Sequence, residues 1–236
     1  MPLISTFMPT FVAQANSCPY ILIYSILMKF LPQTIEEVHN TLTHLIGALA
    51  AASMLWLLVA LAIPQGWQWM MGVLFLGIGT ILMYAFSTTY HWMHTGRAKQ
   101  VLRIFDHIGI YIMIASSYTP ICIAVIGGWL GWTVFAVLWA VVIAGAFYKV
   151  AAIGRYPRLS LFLYLVMGWS GVFIAKPVYD AMPASALLSI LAEGLFYTGG
   201  TWFYAHDERP FYHAIWHLFV LAGTISHWIA IILLLT

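Results

Sequence analysis

Two long stretches of this 236-residue chain contain no charged side chain, and they constrain its fold more than any other feature. No Asp, Glu, Lys or Arg occurs from residue 38 to 96, or from residue 107 to 148. A helix needs about 20 mostly apolar residues to cross the hydrocarbon core of a bilayer. Each stretch is therefore long enough for two spans, and the chain is predicted to be an all-α membrane protein.

The composition of the whole chain excludes the soluble classes of protein. Hydrophobic residues make up 63% of the chain and charged residues 7%, whereas an ordinary soluble domain has roughly 25% charged residues. So few charges exclude a soluble enzyme and a disordered chain. The net charge of +2 is too small to indicate nucleic acid as a partner, and the expected partners are membrane lipids.

Turn signals and charged segments divide the apolar sequence into a predicted seven-transmembrane helix bundle. Pro64-Gln65-Gly66 separates two helices in the first stretch, and Gly127-Gly128-Trp129 separates two in the second. The sixth predicted span contains Glu193, which weakens the case for it as a span. The predicted spans are residues 41–63, 67–91, 106–126, 130–151, 159–175, 184–204 and 211–235.

The basic residues predict the orientation of the bundle, because cytoplasmic loops are enriched in Lys and Arg. With seven spans, eight basic residues fall on one side of the membrane and only Lys176 falls on the other. We therefore expect a cytoplasmic N-terminus and an external C-terminus. The eight residues are Lys29, Arg97, Lys99, Arg103, Lys149, Arg155, Arg158 and Arg209.

Residues 1–36 are expected to form an N-terminal segment before a membrane domain of residues 37–236. Its apolar part, residues 19–31, is too short to span, so the segment is expected to be interfacial or partly disordered. Two alternatives remain. Ala13-Gln14-Ala15 resembles a signal-peptidase site, although no basic region precedes it, and Met28 would make a plausible start.

Ionisable side chains gather at the predicted cytoplasmic helix ends, and such groups are candidates for function in a membrane protein. His91 ends the second span, with Ser87 one turn earlier, and Asp106 opens the third. His213 and His217 open the last span four residues apart, so both imidazoles project from one face. Three imidazoles and a carboxylate in one layer suit a first-row metal ion, most often zinc.

A three-His zinc site leaves one position for water and lowers the pKa of that water to about 7. The residues between His213 and His217 include no Glu, which is the general base of the HExxH zinc-protease helix. Asp106 is therefore the predicted base that activates water for attack on a carbonyl group. Ser87 is predicted to hold the water or an oxyanion.

Structural roles stay open for several of these groups. A His pair at a helix start can reach towards lipid headgroups, and Asp106 can cap its helix. Glu37 fits a capping box with Thr34, while Asn40 and His44 can bond to neighbouring backbone.

Four other ionisable residues are weaker candidates for the metal site. His94 could replace His91 as a ligand but is expected to face headgroups, and His107 points about 100° away from Asp106 around the helix. Glu193 and His227 lie deep in their spans, far from the metal layer, and each is expected to form a buried hydrogen bond.

Five short motifs resemble those of one family. Residues 37–44, EVHNTLTH, resemble E-x-x-N-x-x-T-H; residues 87–91, STTYH, resemble S-x-x-x-H; and residues 106–110, DHIGI, resemble D-x-x-G-I. Residues 117–120, SYTP, and the pair of His at 213 and 217 complete the set in the same order. The chain thus resembles the hemolysin III and PAQR (progestin and adipoQ receptor) family, and its short loops favour the bacterial hemolysin III branch.

The resemblance implies a seven-helix fold with a zinc ion near the cytoplasmic helix ends. By motif match, His91, His213 and His217 correspond to the zinc ligands, and Asp106 and Ser87 to a neighbouring carboxylate and hydroxyl. The superfamily includes alkaline ceramidases, which suggests hydrolysis of a lipid amide. We therefore expect a multi-pass protein of the cell membrane (the bacterial cytoplasmic membrane, if the branch is right) that hydrolyses a lipid amide or ester.

Two other functions stay open. Hemolysins of this family are described as pore-forming, which would make the chain cytolytic. A non-enzymatic sensor or regulator of membrane lipid state would instead use the zinc as a structural clamp. A pore-former should carry a polar stripe along a helix, and no predicted span does. The sequence therefore favours hydrolase or sensor over pore, but it does not separate those two.

Overall fold

The structure is a computed structural model that describes residues 32–236, and these residues form helices and no strand. The predictions for residues 1–31 lie outside the described residues. A 3₁₀ turn, Ile63–Gln65, follows α1, a π-helical turn, Ile121–Ile126, extends α3, and a 3₁₀ segment, Trp169–Ile174, joins α5 to α6. The α-helices are α1 Ile35–Ala62, α2 Trp67–Trp92, α3 Arg97–Pro120, α4 Gly128–Ala152, α5 Pro157–Gly168, α6 Ala175–Ala181, α7 Ala184–Tyr204 and α8 Tyr212–Leu235.

Six helical segments of the described residues are long and apolar enough to cross a membrane. They correspond to six of the predicted spans, and large apolar side chains such as Trp56, Trp129 and Phe173 are exposed on them. The helix α7 forms with the predicted bounds but is not among the six. Glu193 and the glycines and threonines of α7 lower its hydropathy, so the count of seven spans stays a prediction.

Three helix boundaries differ from the predicted ones, each for a local reason. The helix α1 begins six residues early because Thr34 caps it, with the Thr34 hydroxyl accepting the Glu37 N–H at 3.1 Å. The helix α3 begins at Arg97, because Arg and Lys are good helix formers even where they lie outside the membrane. The fifth span continues past Pro177 to Ala181, since proline is tolerated in the first turn of a helix.

Buried side chains join the helices in three clusters, and the smallest packs Met182 and Ala186 against Ala230 of α8. One buried cluster joins α1, α2 and α8 through side chains that include Leu58, Leu76 and Ile231. A second joins α3, α4 and α5 through Tyr111, Leu138 and Tyr164, among others. Small residues allow close approach of membrane helices, and a side chain at Gly79 of α2 would overlap Ser116 of α3.

Successive long helices run in opposite directions, so alternate helix ends meet at each end of the bundle. One end, called the site end below, gathers the starts of α1, α3, α5 and α8 and the ends of α2, α4 and α7. Contacts of His91 with Glu37 and His213, and of Lys149 with Ser160, join these helix ends. The fold therefore brings residues that are distant in sequence into one layer.

Candidate metal centre

Three imidazoles converge at the site end. His91 comes from the last turn of α2, and His213 and His217 come from the first two turns of α8. One ligand nitrogen of each lies within 4.8 Å of the others. His91 and His217 are buried and His213 is partly buried. These are the three residues that the sequence predicted as metal ligands.

The Nδ1 atom of His91 is held by a carboxylate of α1. The Nδ1–H of His91 donates to Oε2 of Glu37 at 2.5 Å, and the other oxygen of Glu37 accepts from Nζ of Lys99 at 2.5 Å. Because Nδ1 carries the proton of this hydrogen bond, Nε2 is the ring nitrogen of His91 that can offer a lone pair to a metal ion.

The first turns of α1 also hold His217. Its Nδ1 lies 3.1 Å from the backbone carbonyl oxygen of Asn40 and 3.0 Å from the hydroxyl oxygen of Thr43. Since a carbonyl oxygen can only accept, the proton of a neutral His217 lies on Nδ1 and its lone pair on Nε2. Thr43 lies within the 37–44 motif, but the sequence pattern did not indicate this contact.

The Nδ1 of His213 has a weaker partner than the Nδ1 atoms of His91 and His217. It lies 3.9 Å from Oδ2 of Asp207, in the exposed loop between α7 and α8. Partial burial and the neighbouring Glu208 raise the pKa of Asp207, so this carboxylate binds a proton at a higher pH than a free one. The start of α8 is fixed in another way. The backbone N–H of Phe211 donates to Oε1 of Glu36 at 3.1 Å.

The donor set fits a metal ion. His ligands of metals almost always donate the second ring N–H to a carboxylate, a carbonyl or water, and both His91 and His217 do so. The Nε2 of His91 is buried and has no hydrogen-bond partner among the described residues. An unpartnered polar atom is costly in the interior, and coordination to a metal ion would satisfy it.

The predicted base and hydroxyl line the same cavity as His91. Ser87, one turn before His91, is buried, and its hydroxyl lies beside the carboxylate of Asp106 without a hydrogen bond of ordinary geometry in the described part of the chain. Asp106 lies at the wall that α3 contributes. His107 also lines the cavity, but its ring contacts a different group, since its Nδ1 lies 3.5 Å from Nζ of Lys149; its backbone carbonyl oxygen accepts from the Tyr164 hydroxyl at 3.0 Å.

The structure decides between two interpretations of the start of α1. Thr34 caps the helix, but the carboxylate of Glu37 bonds to His91 and Lys99 and does not complete a capping box. His44 stacks on His217, with ring centroids 3.4 Å apart and planes 14° apart. The start of α1 is therefore the part of the site that orients the other residues.

The remaining candidates lie outside the cluster of three imidazoles. His94 is not a member of that cluster. Glu193 and His227 form the expected buried hydrogen bond, in which the Nδ1–H of His227 donates to Oε2 of Glu193 at 2.7 Å. This pair is a separate polar site in the middle of the bundle.

A cavity of about 1740 Å³ begins at the three imidazoles and extends along the bundle. Its wall includes Glu37 and Asp106 at the site end, Glu193 and His227 in the middle, and Asp180 near the opposite end. Much of the remaining wall is apolar, with side chains such as Met83, Met113, Leu187 and Leu191.

Fold and site together define the class: a multi-pass helical protein of the cell membrane with three converging imidazoles at one end of its bundle. Residues 32–228 match the family model described as "Haemolysin-III related". The chain belongs to the hemolysin III family, which confirms the resemblance drawn from the motifs.

Curated relatives agree with this assignment. The chain is 36% identical over 190 residues to "Hemolysin-3 homolog" of Bacillus subtilis, a match that covers 80% of this chain and 89% of that protein. It is 35% identical over 190 residues to "Hemolysin-3" of Bacillus cereus, covering 80% and 87%. A more distant relative, 28% identical over 165 residues, is the human "Monocyte to macrophage differentiation factor", covering 66% of each chain. No solved structure matches the chain.

Proposed function

We propose that this protein is a zinc-dependent hydrolase that acts on an amide or ester bond of a membrane lipid. One observation carries the proposal. Three imidazole nitrogens converge within 4.8 Å at one end of a largely apolar cavity, beside an aspartate and a buried serine hydroxyl. The pattern combines a metal site, a candidate base and room for an acyl chain.

Zinc is the metal that best suits three neutral imidazoles from the protein. His91, His213 and His217 are its proposed ligands, with Glu37 and the Asn40 carbonyl group fixing the rings of the two buried ones. When bound, zinc supplies Lewis-acid chemistry, since it polarises a carbonyl group and lowers the pKa of water to about 7.

The chain itself supplies the proton transfer and part of the charge stabilisation. The Asp106 carboxylate accepts the proton of the attacking water and keeps that water oriented. The Ser87 hydroxyl donates a hydrogen bond to the carbonyl oxygen as negative charge develops on it. Asp106 then returns the proton to the leaving amine or alkoxide, so that the products are a carboxylic acid and an amine or alcohol.

The position of the site suits a lipid substrate. The amide and ester carbonyls of membrane lipids lie just below the headgroups, at the depth where membrane helices end. The cavity continues from the imidazoles past Met83 and Met113 into the bundle, so an acyl chain can lie in it while the carbonyl group stays at the site end.

The proposal includes the full topology. We take α7 as the seventh span and the site end as cytoplasmic, within a membrane domain that follows an N-terminal segment. Because α1 begins at Ile35 and Glu36 bonds to Phe211, this domain begins slightly before the predicted residue 37. A reporter fused after Thr236 should then read as external, and one inserted in the loop before α3 as cytoplasmic. A cytoplasmic reading at Thr236 would contradict seven spans.

A second candidate function has support from the cavity. It passes the Glu193–His227 pair and reaches Asp180, so polar groups occur along its length, and two relatives carry the name Hemolysin-3. A pore-forming protein, or a sensor of membrane lipids with a structural zinc, would use this path without turnover.

Lipid analysis of cells with and without the site separates these functions. Cells that express His91→Ala should accumulate one class of amide or ester lipid relative to cells with the intact chain. His39→Ala is the matched control, because His39 is exposed and its Nδ1 bonds to the carbonyl oxygen of Ile35. Identical lipid profiles in the presence and absence of His91 would favour the sensor or pore.

A further inference from the structure

A second cationic feature lies at the site end, apart from the imidazoles. Lys149, in the last turn of α4, is only 1% exposed. Among residues 32–236, no carboxylate lies within ion-pair distance of its ammonium group. A buried charge without a counter-charge is strongly unfavourable, so its presence needs an explanation.

The groups in direct contact with Lys149 are all neutral. Its Nζ donates to the hydroxyl oxygen of Ser160 at 2.6 Å and lies 3.5 Å from Nδ1 of His107. The rings of Tyr164 and Tyr148 lie 5.1 and 5.5 Å from Nζ. An ammonium group has three N–H donors, so these contacts leave one donor free. Asp106 acts on the charge only from beyond ion-pair distance, and the guanidinium of Arg103 opposes it.

The cavity reaches this ammonium group. Lys149, Arg103 and Arg158 all line it. The guanidinium of Arg103 lies beside Gly154 in the turn between α4 and α5, and Arg158 lies two residues before Ser160. This corner of the cavity is therefore positive and is well arranged to receive an anion.

A purely structural role explains only part of the arrangement. Lys149 does link α4 to α5 through Ser160, but a neutral hydrogen-bond donor would make the same link without the cost of burying a charge. The charge itself is useful only when an anion is present.

We propose that Lys149, with Arg103 beside it, binds the phosphate group of a membrane phospholipid. The inference rests on the proposed lipid function and narrows its substrate class to glycerophospholipids. Lys149 contacts His107, which directly follows Asp106. The phosphate subsite and the metal centre therefore flank the same turn of α3, as the phosphate and ester groups of one lipid flank its glycerol.

Binding to the purified full-length chain in detergent tests the subsite without turnover. The probes are phosphatidylglycerol and diacylglycerol with identical acyl chains, compared by native mass spectrometry. We expect the intact chain to prefer phosphatidylglycerol by about tenfold or more, the ratio for one charge-assisted hydrogen bond. Equal binding of the two lipids overturns the proposal, whatever the variants do.

Variants assign the preference to one residue. Lys149→Met should bind both lipids about equally, and Lys149→Arg should keep the preference. Arg97→Gln is the matched control, because Arg97 is an exposed cation near the same end and does not line the cavity. A preference that persists in Lys149→Met, or that Arg97→Gln removes, shows general surface attraction and overturns the subsite. Displacement of phosphatidylglycerol by millimolar inorganic phosphate overturns the lipid as the source of the anion.

Two further measurements distinguish the phosphate subsite from the proposed hydrolysis and from a purely structural role of Lys149. His91→Ala should keep the lipid preference, so the subsite can stand even if hydrolysis fails. Without added phospholipid, Lys149→Met should unfold at the same temperature as the intact chain or higher, because an unpaired buried charge has been removed. A variant that does not fold, or that unfolds much earlier, overturns the subsite and shows a structural link instead.

Discussion

Two buried pairs of histidine and carboxylate occur in this bundle, and they differ in what surrounds them. At the site end, Nδ1 of His91 lies 2.5 Å from Glu37, and in the middle of the bundle Nδ1 of His227 lies 2.7 Å from Glu193. In both pairs the Nε2 of the histidine is buried and has no partner among the described residues.

The two pairs differ in the groups that lie near the histidine. Two further imidazoles, His213 and His217, lie close to His91, whereas His227 belongs to no cluster of three metal-ligating side chains in residues 32–236. A carboxylate partner therefore orients an imidazole but does not make a metal site. Convergence of several oriented imidazoles makes a candidate metal site, and in this fold it occurs where helix ends meet.

The largest effect is expected when one of the three converging imidazoles is removed. We expect one zinc ion per purified chain, and we expect His91→Ala, His213→Ala and His217→Ala each to lose most of it, because two imidazoles hold the ion poorly. Metal analysis by mass spectrometry measures the content. His39→Ala and His94→Ala should keep the ion, and undiminished zinc in all three ligand variants would refute the site.

The next effect concerns chemistry at an intact metal centre. Asp106→Asn keeps the size of the side chain but removes its basicity, and loss of an aligned general base typically lowers a rate by about 10²–10⁴-fold. We expect this variant to fold, to keep zinc and to lose lipid hydrolysis. Loss of both zinc and fold would make Asp106 structural, and full activity with zinc retained would contradict the hydrolase mechanism.

A smaller effect tests the orienting carboxylate of the site end. Glu37→Gln should weaken zinc affinity by about 10–100-fold, the usual cost of removing the carboxylate behind a metal-bound imidazole. Competition with a fluorescent chelator measures the affinity. Glu208→Gln, at an exposed loop position, is the control, and an unchanged affinity in Glu37→Gln would mean that its bond to His91 does not support the metal.

The smallest effect on the metal is expected from the pair in the middle of the bundle. His227→Leu should leave zinc content unchanged. It should lower stability by about 3–5 kcal/mol, because it leaves Glu193 buried without a partner. Thermal unfolding in detergent measures the loss, and replacing Glu193 by Leu as well should restore much of it. A loss of zinc in His227→Leu would show that the two sites are coupled and would contradict the comparison.

Part of the candidate site could be predicted from the sequence for a simple physical reason. Four-residue spacing puts His213 and His217 on one helix face, and a span must end near His91 because the charged residues follow it. The orienting partners could not be predicted in this way. The carbonyl oxygen of Asn40 and the hydroxyl of Thr43 reach His217 only because α1 packs beside α8, and local pattern carries no information on that contact.

The sequence by itself determined that this chain is helical and membrane-embedded, because long stretches without charge can satisfy their backbone groups in a bilayer only as helices. It also determined the family through the spacing of His, Asp, Ser and Glu. Only the tertiary structure decided which partners those residues have. Glu37 could have capped its own helix, and Lys149 could have reached the membrane surface. Packing of antiparallel helices instead directs Glu37 to His91 and leaves Lys149 beside neutral side chains, since contacts between distant segments depend on how the helices assemble.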